Sequence, residues 1–210
     1  MEDLLIQAQT TPTQWHDGGR HAAGLKGKAG DCVLRATVIA LTSGAPTSSP
    51  FTKAAYVAIR DSLATVQQIE IARRTRFLER KLVRKGLPVH QQRELKTLRN
   101  MPKRSALRGI YKKSWDKFAA QAHINKIPMN GERPTVAQAV ACYERIIIGI
   151  RGHKFAAVGG TVYDSWKDRD ELLWYDHEEF GTNPRKALNL WEPTPQSDEW
   201  LQAQIEATNV

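Results

Sequence analysis

Hydrophobic residues recur every three or four positions through the first two thirds of the chain, which is the spacing of helices that bury one face. Ser49 or Thr52 offers a start for a long helix, and Gly86 offers its end. A second helix from Pro88 to about Arg99 then completes a predicted antiparallel hairpin. The same spacing predicts further helices at about 32–42, 109–122 and 135–143.

The hydrophobic period changes after Arg145. Runs rich in β-branched residues follow, and Gly159-Gly160 has the form of a hairpin connection between two of them. Helices first and a small antiparallel sheet last predict an α+β fold. The predicted strands are 146–150, 155–158, 161–163 and 187–191, with an irregular arm over 1–29 and a last helix at 197–207.

Size and composition indicate one folded domain. The chain has 210 residues, of which 41% are hydrophobic, enough for a buried core. No apolar run approaches the roughly 20 residues that cross a bilayer, and the acidic start does not resemble a secretory signal. Two cysteines do not form a disulfide framework, so we expect a cytoplasmic protein without membrane contact.

The net charge of +9 is concentrated in one segment. Residues 73–113 carry 15 Lys and Arg against two acidic residues, a balance of +13, and the rest of the chain has a balance of −4. We therefore predict that the hairpin, about 62–107, is an insertion that binds a polyanion, either nucleic acid or an acidic protein surface. The predicted polyanion-binding residues are Arg73, Arg74, Arg76, Arg80, Lys81, Arg84, Lys85, Arg93, Lys96 and Arg99.

Three residues have the order of a cysteine nucleophile and its partners. Cys32 opens an apolar helix, where the positive end of the helix dipole favours a thiolate. His153 and Asp164 flank the Gly159-Gly160 turn, so adjacent strands would bring them together. We predict that Cys32 attacks a carbonyl, that His153 carries the proton and that Asp164 orients the imidazole.

Two further residues are candidates for support of this site. Asp31 is predicted to cap the Cys32 helix, and Trp166 to cover the His–Asp hydrogen bond. The other histidines have no metal-ligand spacing and no phosphate-binding glycine loop is present, so we expect neither a metal nor a cofactor.

These motifs resemble papain-like cysteine peptidases, most of all the small phage-encoded type. The resemblance rests on Cys32 after Gly-Asp, on Gly152-His153 before a hydrophobic strand and on the run 163–166, and it covers about 26–60 and 108–170. It implies one papain-like domain over 1–210, with a nucleophile helix packed on an antiparallel sheet. It also implies thiol attack on a peptide or isopeptide of a protein substrate.

The resemblance has one gap, since papain-like enzymes often place the oxyanion-hole glutamine shortly before the cysteine. Here no glutamine precedes Cys32 more closely than Gln14, and the backbone N–H of Cys32 with the side chain of Gln14 or Asn125 could serve instead. Two other functions remain open for this reason. One is a non-enzymatic protein that binds nucleic acid or a partner through the basic segment. The other is a transglutaminase-like acyl transferase, which would use the same three residues. From residue 192 onward we expect a polar tail.

Overall fold

The protein is an α+β fold with one mixed sheet in this computed structural model. The structure describes residues 13–25, 31–100, 110, 112–129, 131, 133–150, 153–165 and 186–208. The described helices are α1 (Cys32–Leu41), α2 (Pro50–Lys85), α3 (Val89–Asn100), α4 (Lys112–Gln121), α5 (Val136–Cys142) and α6 (Pro195–Thr208). The described strands are β1 (Thr13–Trp15), β2 (Ile124–Ile127), β3 (Arg145–Ile150), β4 (His153–Val158), β5 (Thr161–Asp164) and β6 (Asn189–Pro193).

The signals at the ends of the long helix act as the sequence predicts. The Ser49 hydroxyl accepts a hydrogen bond from the Thr52 backbone N–H at 3.0 Å, and so caps α2. Gly86 closes the helix with φ of 72°, a conformation that side-chain-bearing residues rarely adopt. Both predicted ends of α2 are therefore confirmed.

Within the described part of the chain, no helix combines the length and the apolar character needed to cross a membrane.

The sheet is larger and more mixed than predicted. Its six described strands lie in the order β1-β5-β4-β3-β6-β2. β1 pairs with β5 in parallel, and the other neighbours are antiparallel. The prediction of a small, purely antiparallel, C-terminal sheet is therefore wrong, and so is the irregular arm at Thr13–Trp15. β1 and β2 have only three and four residues, too few for a period of two to stand out.

Hydrophobic residues cover both faces of the sheet, and successive strand residues alternate between them. On β3, Ile147 packs with α1, α2, α4 and α6, whereas Ile146 and Ile148 pack with α5. Gly149 lies on the first of these faces, where a Cβ would come within 3.1 Å of the Trp191 ring. The sheet is thus a central layer, which holds the start of β4 beside the start of α1.

The basic hairpin has a small hydrophobic cluster of its own. Ile71 and Leu78 on α2 pack against Leu95 and Leu98 on α3, with Leu87 at the turn. The same α2 helix packs on the body of the protein further toward its N-terminus. One unbroken helix therefore runs from the body into the hairpin. Residues 101–107 of the predicted insertion lie outside the described residues.

Candidate active site

Cys32 is the first residue of α1, as the sequence predicts. The first backbone N–H groups of a helix have no partner within it and carry partial positive charge, which stabilises an anion placed there. The thiol is partly buried, whereas the other cysteine, Cys142, is exposed. Only the first of these two thiols therefore lies in a setting that favours the thiolate.

His153 and Asp164 form a close, buried pair. The β4–β5 register pairs Val158 with Thr161, and its continuation sets Asp164 opposite Phe155. His153 is then the diagonal neighbour of Asp164 on the same face, within reach of its side chain. The imidazole Nε2 lies 2.8 Å from one carboxylate oxygen and 3.0 Å from the other. Both residues are less than 5% exposed.

The thiol of Cys32 interacts with the first two residues of β4. Burial would raise the pKa of the Cys32 thiol, but a hydrogen bond with His153, the charge of that ring, and the backbone and charge of Lys154 together lower it. Burial likewise opposes protonation of His153, and the hydrogen bonds and charges of Asp164 and Cys32 outweigh it and raise the pKa of His153 to about 9. Since Nε2 is taken by Asp164, Nδ1 is the nitrogen left for the thiol. Both shifts favour the thiolate–imidazolium pair over the neutral thiol and imidazole.

Asp31 does not cap α1 with its side chain, so that prediction is wrong. An N-cap residue usually has an extended backbone, but the backbone of Asp31 is not extended. The Asp31 side chain also makes no capping hydrogen bond. The carboxylate is fully buried instead, 2.9 Å from Arg35 Nε and 3.2 Å from Arg20 Nε. It also accepts a hydrogen bond from the Tyr56 hydroxyl at 2.8 Å. Burial and this carboxylate raise the pKa of Tyr56 far above its usual range.

These contacts connect the nucleophile helix to the rest of the site. Arg35 lies one turn after Cys32 and donates from Nη1 to the backbone carbonyl of Ser165, at 3.2 Å. Ser165 directly follows Asp164 in the chain. The Asp31 network therefore fixes the start of α1 relative to the end of β5, and supports the site by position.

The arm before α1 holds the end of β5 from the other side. In β1, Trp15 pairs with Asp164, and the next backbone N–H, of His16, donates to the Asp164 carbonyl at 2.8 Å. Gln14 lies opposite Tyr163 with its side chain exposed, and its role as an oxyanion donor remains a prediction. Trp166, the predicted cover of the His–Asp pair, lies outside the described residues.

Lys154 is a residue of the site that the sequence reasoning missed. Its ammonium lies 4.1 Å from the ring centre of Trp191 and 5.2 Å from that of Trp115, distances typical of cation–π contacts. Burial lowers the pKa of Lys154 to about 8, against the opposing charges of Cys32 and Asp116. A lysine in a strand reads as an exposed residue, and the two tryptophans that cover it are distant in sequence. Lys154 adds a second positive charge beside the thiolate.

Replacing Lys154 with methionine is expected to slow alkylation of Cys32 at pH 6. Loss of the positive charge would raise the thiol pKa by up to about one unit, which corresponds to a rate loss of up to about tenfold. The measurement is the rate of iodoacetamide labelling at Cys32, followed by peptide mass mapping. Lys53→Met is the matched control, since Lys53 is exposed on α2. Equal labelling rates in the two variants would exclude a role for Lys154 in thiol activation.

A cleft adjoins the site along the arm. It has a volume of about 750 Å³ and is bordered by Trp15, Asp17 and Arg20 of the arm, by Arg35 of α1 and by Ser165. Two of these residues flank the site in the chain, because Arg35 follows Cys32 by one turn and Ser165 follows Asp164. The lining of the cleft includes these chain neighbours of the candidate site but not Cys32, His153 or Asp164 themselves.

No set of metal ligands lies at the site among the residues that the structure describes. In that part of the chain, no group of three or more His, Cys, Asp or Glu side chains could hold an ion. His16 illustrates a histidine with structural contacts, since its Nδ1 accepts from the Gly18 N–H and its Nε2 donates to the Ala45 carbonyl.

Comparisons with known proteins found no matching family model, no matching curated protein and no matching solved structure.

Proposed function

We propose that this protein is a cysteine-dependent hydrolase of the papain-like kind, which cleaves a peptide or isopeptide bond. The observation that carries the proposal is the buried His153–Asp164 pair, with His153 Nε2 2.8 Å from the carboxylate, together with the pKa of the Cys32 thiol, which the ring of His153 helps to lower. A nucleophile, a base and a residue that orients the base are the three parts such chemistry requires. A reducing cytoplasm would keep the thiol free.

The proposed reaction has two steps, and His153 transfers a proton in each of them. The Cys32 thiolate attacks the substrate carbonyl carbon, and the C–N bond breaks as His153 gives its Nδ1 proton to the leaving amine. The product is a thioester on Cys32. Water then attacks the thioester while His153 accepts a proton, and the carboxylic acid leaves as the thiolate and imidazolium form again. Asp164 keeps the ring in place through both steps.

Acylation of Cys32 by a p-nitrophenyl peptidyl ester tests the proposal. Because the pKa of Cys32 is lowered, acylation should begin below the pH of roughly 8.5 that an ordinary thiol needs. Because the pKa of His153 is about 9, the ring holds its proton up to that pH, and amide cleavage should decline above it. The expected profile for amide cleavage is bell-shaped, and its two limits belong to the coupled pair. The measurements between pH 4 and 10 are intact mass and p-nitrophenol release for acylation, and p-nitroaniline release from the corresponding peptidyl anilide for amide cleavage.

The fate of the acyl group separates the remaining functions. Release of free acid from Cys32 supports a hydrolase. Quantitative transfer to an added amine, with no release to water, would replace hydrolysis by acyl transfer. Equal acylation of Cys32 and Cys142, or none at either, would overturn the proposal and favour a protein that binds without catalysis.

A further inference from the structure

The outer face of α2 carries a continuous row of arginines. Arg73, Arg76, Arg80 and Arg84 recur every three or four residues, so they lie along one face of the helix over about 16 Å. All four are exposed. The fully buried Leu78 lies on the opposite face, which packs against α3. We call these four residues the arginine row, and it faces away from the partner helix of the hairpin.

The carboxylates of the hairpin are engaged on the inner side. Arg74 donates to Glu94 through two hydrogen bonds of 2.9 and 2.8 Å, and thereby joins α2 to α3. Arg99 and Glu79 form a second bridge between the two helices at 2.7 Å. These two acidic residues stabilise the hairpin, and in these contacts neither is paired with a residue of the arginine row.

The arginine row itself has few intramolecular contacts. Glu70 lies 3.8 Å from Arg73 but is closer to Lys117, at 2.9 Å. Arg76 and Arg80 each donate from Nε to a backbone carbonyl one turn earlier, at 3.3 Å. Within the described ranges, no carboxylate lies within ion-pair distance of Arg76, Arg80 or Arg84. Like charges one turn apart on a helix repel one another, and an anionic partner would relieve that repulsion.

Apolar side chains lie along the same face. Ile69, Phe77 and Val83 are 59%, 49% and 87% exposed. A shallow groove of about 620 Å³ runs beside Ile69 and along Arg73, Arg76 and Arg80. The face therefore combines groups that bind phosphate with groups that contact sugars and thymine methyls.

We propose that the arginine row binds double-stranded DNA, with α2 lying in the major groove. An α-helix with its side chains is about 10–12 Å across, and the major groove of B-form DNA is about 12 Å wide. The deep, narrow groove of an RNA duplex does not admit a helix. The net negative charge outside residues 73–113 repels phosphate. The hairpin would therefore contact the DNA, and the rest of the protein would not. This inference goes beyond the hydrolase proposal and does not depend on it.

Phosphate binding predicts a definite dependence on salt. Four contacts would give a slope of log affinity against log salt of about −4, and each contact removed would reduce it by about one unit. The measurement is fluorescence anisotropy of a labelled 20-base-pair duplex with the full chain, between 50 and 200 mM salt. The Arg76→Glu, Arg80→Glu double variant should bind at least about tenfold more weakly, with a slope shallower by about two.

The matched control changes the same charge on the other helix. Arg93 and Lys96 are exposed on α3, so Arg93→Glu with Lys96→Glu alters net charge equally and leaves the arginine row intact. We expect this control to lose less than about threefold, since only general attraction changes. Equal losses in both variants would overturn the assignment to α2.

Three other results would also overturn the proposal. They are no binding to the duplex at 50 mM salt, tighter binding to a single strand of the same length, and equally tight binding to polyglutamate. The last would reassign the row to an acidic protein surface. Thermal melting of each variant confirms folding, and acylation of Cys32 should be the same in all of them, which keeps this result separate from the hydrolase proposal.

Discussion

Replacing Cys32 with alanine is expected to reduce turnover of a p-nitrophenyl peptidyl ester by at least about 1,000-fold, to the background rate. The nucleophile has no substitute, because Cys142 is exposed on another helix. His153→Ala should cause a comparable loss, since it removes both the proton carrier and the charge that stabilises the thiolate. Asp164→Ala should cost less, because in the proposed mechanism Asp164 acts through the ring of His153 and does not touch the substrate.

The controls separate chemistry from folding. Cys142→Ala should retain full activity. Each variant should melt near the temperature of the unchanged protein, apart from Asp164→Ala, which leaves a buried His153 nitrogen without its acceptor. Undiminished turnover by a folded Cys32→Ala variant would rule out the proposed mechanism.

Replacing Asp31 with alanine is expected to destabilise the fold by about 3–5 kcal/mol. The substitution leaves two guanidinium groups, those of Arg20 and Arg35, close together and only 12% and 11% exposed. It also removes the acceptor of the Tyr56 hydroxyl, which is buried. Because the same network fixes the start of α1, the reactivity of Cys32 should fall as well. The measurement is chemical denaturation, with the free energy of unfolding extrapolated to water.

Two variants calibrate this result. Tyr56→Phe keeps the ring and removes one hydrogen bond to a charged group, so it should cost about 1.5–3 kcal/mol. Asp61→Ala removes the carboxylate from an ion pair with Arg60 of similar length, 2.7 Å, but Asp61 is 54% exposed. Its cost should be about 0–1 kcal/mol. A cost for Asp31→Ala no larger than that for Asp61→Ala would show that the buried network does not anchor the helix.

Local signals in the sequence account for most of the helices and for the His–Asp pair. Ser49 and Gly86 mark the ends of α2 through chemistry that needs no distant residue. The Gly159-Gly160 turn sets the β4–β5 register, and the register places His153 beside Asp164. Turn and cap chemistry act over a few residues, which is why a single sequence reveals them.

The features that sequence reasoning missed all depend on distant contacts. β1 is held by β5, about 150 residues away. Asp31 looked like a cap because its neighbours in the chain allow one, yet Arg20 and Tyr56 decide where its carboxylate lies. Lys154 is placed by two tryptophans on α4 and β6. Pairing partners of this kind carry no local pattern.

Because the hairpin has a hydrophobic cluster of its own, the length of the hairpin does not depend on packing in the body of the protein. The residues that join α2 to α3 belong to neither cluster that packs on the sheet. Whole turns could therefore be gained or lost beyond Ile71 without opening either layer around the sheet. Evolution could change how far the basic end of the hairpin reaches while leaving Cys32, His153 and Asp164 in place. A protein engineer could likewise attach a different hairpin to the same part of α2.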